Sequence, residues 1–91
     1  MIDVPRALRI AAGTGDVRFG VKEVRKAVKA RAAKMVVVAS NCPPEALQGL
    51  GDVRTLAFPG TNAELGASCG VPFSVAALAV VAPGESNILS A

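Results

Sequence analysis

Lys22, Arg25, Lys26 and Lys29 are spaced so that, wound as a helix of about 3.6 residues per turn, all four lie on one stripe. Val21, Val24, Ala27, Val28 and Ala32 take the opposite arc, the apolar face that a helix packed on a core needs. With Arg18, Arg31 and Lys34, this window holds seven of the chain's ten positive side chains, and only Glu23 opposes them. Cationic groups on one face over an apolar underside are suited to gripping a polyanion such as a nucleic-acid backbone. The same pattern serves equally as a solvated helix face, so the surrounding residues have to decide.

Composition narrows the class. Hydrophobic residues make up 52% of the 91 residues and charged ones 19%, the balance of a folded globule. Residues 1–91 are expected to form one domain, near the lower size at which a chain builds its own core. Net charge is +3, yet outside the basic window Arg6, Arg9 and Arg54 face six acids, Asp3, Asp16, Glu45, Asp52, Glu64 and Glu85. A polyanionic partner should therefore meet one patch. The longest clean apolar run, Val75 to Ala82, stops at Pro83, well short of the ~18 residues of a membrane span. The amino end lacks the apolar core of a signal sequence, so no membrane partner is expected.

Cys42 and Cys69 are far apart, with no C-x-x-C pair and no histidine, which argues against metal, cofactor and redox motif alike. Two reduced, unpaired, structural thiols are expected. Without His or Tyr, a general base would have to be Asp, Glu, Lys or Cys, and no two of these converge in a motif. No catalytic residue is assigned, and the chain reads as a non-enzyme.

The elements that must position the stripe follow from caps and periodicity. Asp3 caps a helix from Val4 to about Ala12, with Pro5 in its first turn and Gly13 as its left-handed stop. Val17–Phe19 is a short strand, and Gly20 opens the basic helix, which runs to Ala32 or Ala33. Lys34–Ala39 is an apolar, β-branched run, the pattern of a strand buried on both faces. After the break Ser40–Pro44, Glu45–Leu50 allows only a brief helix, and Arg54–Phe58 is a third strand. Thr61 and Glu64 form a capping box for a helix to Ser68 or Cys69 that Gly70 stops. Val75–Ala82 is a fourth, buried strand, and the tail after Pro83-Gly84 can form a last helical turn. Phe19 and Phe58, inside strand patterns, are expected in the core.

Strands alternating with helices make this an α/β layered domain. A helix of about twelve residues spans ~18 Å, enough to return along a sheet, so the first two strands should run parallel through a right-handed crossover. Gly20 and Asn41 then lie past the carboxyl ends of those strands, on the sheet edge where open α/β folds place ligands. The basic helix begins there too, so its free N–H groups add to the positive potential.

The runs Gly20-Val21-Lys22-Glu23-Val24-Arg25-Lys26, Val37-Val38-Ala39-Ser40-Asn41-Cys42-Pro43 and Gly60-Thr61-Asn62-Ala63-Glu64-Leu65-Gly66 resemble a known family. Ser68-Cys69-Gly70 and Leu78 to Ser86, with Pro83-Gly84-Glu85-Ser86 at its end, continue the likeness over nearly the whole chain. The chain is similar to the archaeal and eukaryotic large-subunit ribosomal "thirty-e" proteins, within the wider "seven-Ae" group that binds kink-turn RNA. That resemblance implies a three-layer α/β/α sandwich on a mixed four-stranded sheet whose last strand is antiparallel to the rest. It also implies a cytoplasmic, ribosome-bound protein, monomeric outside the ribosome, whose partners are ribosomal RNA and other large-subunit proteins.

By position, the family's RNA grip falls on Gly20, Val21, Lys22, Glu23, Arg25 and Lys26, then Asn41, then Gly70, Val71, Phe73 and Val75. The residue types suit a sharply bent RNA with an extruded base. Lys22 and Lys26 can reach phosphates and purine acceptors, Asn41 offers both a donor and an acceptor, and Phe73 offers a face for stacking. Glu23 is left between two roles, accepting from a guanine amino group or favouring the helix's positive end. Arg6 and Arg9 lie outside this patch. Two features depart from the family pattern: the stretch from Pro43 to Gly60 is shorter, and Pro72 stands where a larger side chain is usual. The competing assignments are a kink-turn module of another ribonucleoprotein and a small-molecule- or protein-binding regulatory domain, the latter requiring a closed apolar pocket.

Overall fold

The computed structural model describes residues 3–42 and 53–90; the brief helix expected at Glu45–Leu50 lies outside them. Among the described residues there are three α-helices, α1 (Val4–Thr14), α2 (Val21–Lys29) and α3 (Asn62–Cys69), four strands, β1 (Asp16–Phe19), β2 (Met35–Val38), β3 (Thr55–Ala57) and β4 (Ala77–Ala82), and a 3-10 turn at Ile88–Ser90. The sheet order is β1-β4-β2-β3. β4 is antiparallel to both β1 and β2, and β2 is parallel to β3, so the sheet is mixed with an antiparallel last strand, as expected. β1 and β2 share a direction but are not neighbours, because β4 lies between them.

Apolar side chains sort onto two faces by the alternation of a strand. Met35 and Val37 of β2, with Leu78 and Val80 of β4, pack with Leu8 and Ala11 of α1 and Leu65 and Cys69 of α3. Val36, Val38, Ala77 and Ala79 point the other way, onto Val24 and Ala27 of α2. This makes three layers, α1 and α3 on one side and α2 on the other. All of β2 and the first four residues of β4 are buried, which is why both read as continuous apolar runs. The edge strand β3 is short and half exposed.

Two helix ends differ from expectation. α1 passes through Gly13 and stops at Gly15, whose backbone is extended rather than left-handed. Gly15 is required for closeness: a Cβ there would lie 2.1 Å from the Ala82 carbonyl oxygen. α2 ends at Lys29, short of Ala32, because Arg31 adopts φ 58°. Bonds from Arg31 N–H to the Val28 carbonyl (3.0 Å) and Ala32 N–H to the Ala27 carbonyl (2.9 Å) complete a Schellman stop. An arginine in the position usually held by glycine carries no sequence signal for a stop. α3 keeps its expected bounds, with Thr61 accepting from Glu64 N–H and Gly70 left-handed at φ 78°.

Candidate nucleic-acid interface

The carboxyl ends of β1 and β2 flank the start of β4. Gly20 N–H donates to the Ala77 carbonyl and Ala39 N–H to the Ala76 carbonyl, both at 2.8 Å. Gly20 and Asn41 therefore share one end of the sheet, and the loop leading into β4 reaches the same end.

Gly20 has φ 98° and ψ 151°, a region open essentially to glycine alone. No described atom lies within 4 Å of where its Cβ would be, so the conformation, not crowding, demands glycine. The main chain here is free to be approached closely by a partner. Immediately beyond, α2 presents Lys22, Arg25, Lys26 and Lys29 to solvent over a buried Val24 and Ala27, while Val21 and Val28 are half-buried against the same core. The stripe read from spacing is thus a true exposed face. It is not uniform: Lys26 pairs with Glu23 at 3.7 Å, whereas Lys22 makes no ion pair with any described residue. Glu23 sits in the first turn of α2, where its charge also favours the helix dipole. Arg18 is occupied by Asp16 at 3.0 Å.

Asn41 is exposed yet tightly held. Its Oδ1 accepts from Asn62 N–H at 2.9 Å, and its Nδ2 donates to Asn62 Oδ1 at 3.1 Å. Asn62 Oδ1 also accepts from Ala63 N–H, and the Asn62 carbonyl accepts from Val75 N–H at 3.0 Å. One residue, Asn62, therefore ties Asn41, the start of α3 and the loop before β4 into one unit. Sequence reasoning passed over it, although it stands inside the Gly60-Thr61-Asn62 run.

Phe73 is the one large exposed hydrophobic side chain among the described residues, 53% accessible. It leans edge-on against Phe19, ring centroids 6.0 Å apart and planes at 86°. Phe19 is thus only half in the core and supports the exposed ring, in contrast to the expectation, while Phe58 is buried. Gly66, also missed, lets α3 press on this loop, since a Cβ there would be 2.1 Å from the Phe73 carbonyl oxygen. Beside it lies an open hollow of about 350 Å³ lined by Ala63, Ala67 and Val71 to Ser74.

The remaining expected residues behave differently. Val75's side chain is buried in the core, and its N–H is spent on Asn62, so it anchors the loop. Gly70 is the C-cap of α3, and Val71 follows it into the loop, where it lines the same hollow as Ala63 and Phe73. Gly70 neighbours Arg9, whose Nε is 3.9 Å from a Cβ placed there, so Arg9 is not remote from the loop. The hollows beside α2, α3 and α1, of about 250, 350 and 520 Å³, are open grooves rather than the closed apolar pocket a small-molecule site needs. Cys42 and Cys69 are not joined in a disulfide, and burial pushes Cys69 up to about 11 and raises Cys42 as well, which disfavours reactive thiolates.

Comparison of the sequence with known proteins points to one family. The ribosomal protein L7Ae/L30e/S12e/Gadd45 family matches residues 3–90. The chain is 45% identical to the large ribosomal subunit protein eL30 of Methanoregula boonei over 92 residues, covering 98% of this chain and 95% of that protein. It is 46% identical to the eL30 of Archaeoglobus fulgidus over 82 residues, 88% of this chain and 95% of the relative. The eL30 of Methanobrevibacter smithii is 38% identical over 95 residues, 98% of this chain and 96% of the relative. The chain therefore belongs to the ribosomal protein L7Ae/L30e/S12e/Gadd45 family.

Proposed function

We propose that this chain is a structural protein of the large ribosomal subunit and binds ribosomal RNA, gripping a kink-turn with the end of the sheet that carries Gly20, Asn41 and Phe73. The observation that carries this is the convergence of three different kinds of contact on one edge: an approachable main chain, a fixed amide and an exposed aromatic ring, beside an exposed cationic helix face. Relatives named as large ribosomal subunit proteins over nearly the full length support the ribosomal assignment. Lys22, and less strongly Lys26, neutralises phosphate. Asn41 reads a base edge, and Phe73 stacks on an extruded base while Phe19 backs it. The chain acts as a single-domain monomer until it joins RNA and neighbouring proteins in the cytoplasmic ribosome.

The test is a titration against a kink-turn RNA and a plain duplex at several salt concentrations. The wild type should prefer the bent RNA. Lys22→Ala should weaken binding and flatten the salt slope by about 1, with Lys29→Ala doing less. Arg6→Ala, on α1 and outside the α2 stripe, is the charge-matched control. Equal losses from Arg6→Ala and Lys22→Ala, or no preference for the bend, would leave only non-specific attraction.

A further inference from the structure

We infer that Asn62 is a positioning residue for RNA recognition, acting through Asn41 rather than touching RNA itself. The inference rests on the RNA-binding assignment above and adds how the base-reading amide is set. An exposed asparagine ordinarily rotates freely and can present either its oxygen or its nitrogen. Here the amide cannot turn over without loss. Its Oδ1 faces Asn62 N–H, which is only a donor, and its Nδ2 faces Asn62 Oδ1, which is only an acceptor. Turning it would oppose donor to donor and acceptor to acceptor.

The Asn62 side chain is itself held by Ala63 N–H at 2.9 Å, and its carbonyl by Val75 N–H. The polarity of Asn41 is thus built into the first turn of α3. One N–H of Asn41 is consumed, and the second bonds no other described residue. The group offered outward is therefore a single donor beside the remaining lone pair of Oδ1. Such a group fits a purine edge that presents an acceptor, and it is aimed before the RNA arrives, which lowers the ordering cost of binding.

A double-mutant cycle decides the matter, read as affinity for a kink-turn RNA with melting temperature as the folding control. In the wild-type background Asn41→Ala should weaken binding about tenfold or more. Asn62→Ala should weaken it about fivefold when Asn41 is present and hardly at all when combined with Asn41→Ala. Asn62→Asp keeps the acceptor oxygen, and its added charge weighs on both Asn41 backgrounds and cancels in the cycle. With it, the full effect of Asn41→Ala should persist as a control; if Asn62→Ala does not fold, Asn62→Ser, whose shorter side chain does not reach the Asn41 amide, takes its place in the cycle. Additive losses from Asn41→Ala and Asn62→Ala, in a protein that still prefers the bent RNA, would overturn the positioning role alone. A wild type with no such preference would overturn the RNA assignment and this inference with it.

Discussion

The two ends of the sheet are built from similar residues and put them to opposite uses. At the end where β1 begins and β4 finishes, Thr14, Gly15, Gly84 and Ser86 are spent on the chain itself. Gly15 and Gly84 sit where a Cβ would meet Ala82 oxygen at 2.1 Å and the Thr14 backbone at 2.5 Å. Thr14 Oγ1 accepts from Glu85 N–H at 3.0 Å, and Ser86 Oγ donates to the Ala7 carbonyl. The Pro83-Gly84-Glu85-Ser86 motif is thus a tether holding the tail on α1. At the other end, Gly20 is open above its main chain, Phe73 is left half in solvent, and Lys22 makes no ion pair with any described residue. Groups that the fold does not consume are the ones available to a partner.

The largest expected effect breaks the closed end. Gly15→Ala forces a Cβ into backbone atoms that cannot yield and should cost about 3 kcal/mol of stability by denaturant unfolding. RNA affinity of the folded fraction should be unchanged. Gly20→Ala attacks the open end through conformation alone, so about 2 kcal/mol is expected, together with a loss of affinity that Gly15→Ala does not show. If the two variants lose affinity alike, the ends are not functionally distinct.

Asn41→Ala sharpens the contrast further. Because Asn41 caps the first N–H of α3, it should lower stability by about 1 kcal/mol as well as weaken binding about tenfold. Loss of stability with affinity intact would make Asn41 a cap and nothing more. The smallest effect belongs to neither end. The Cys69 thiol, raised from 9.0 to about 11, ionises later when folded than when unfolded. Its contribution is full below pH 9 and is lost as pH climbs toward 11. The stability difference between wild type and Cys69→Ala should therefore be flat below pH 9 and shrink above it, with RNA affinity at neutral pH unaffected.

What the sequence made legible was whatever depends on local pattern. The stripe and apolar face of α2, the capping box at Thr61 with its stop at Gly70, and the doubly buried β2 all follow from periodicity or cap chemistry. What it hid depends on contacts between distant segments. Gly13 and Gly15 look alike as stops, and only the approach of Ala82 selects Gly15. Arg31 stops α2 because the chain must turn back toward β2, against its residue preference. At the site, Gly20 and Asn41 were visible as strand-end residues, and Phe73 as a loop aromatic. Asn62 and Gly66 were not, since their roles exist only once α3 lies beside Asn41 and the Phe73 loop. Gly70 and Val71 were legible only through family position, since the hollow that Val71 shares with Ala63 and Phe73 forms only once the loop after α3 folds back along the helix.

The most direct test of the open-end assignment maps backbone amide shifts by NMR while a kink-turn RNA is added to the wild-type protein. Gly20, Lys22, Asn41, Phe73 and Val75 should move or broaden at low RNA ratios, while Gly15, Gly84, Glu85 and Ser86 stay in place. Shifts centred on the Gly15–Ser86 end, or spread evenly over every exposed cation, would contradict the account.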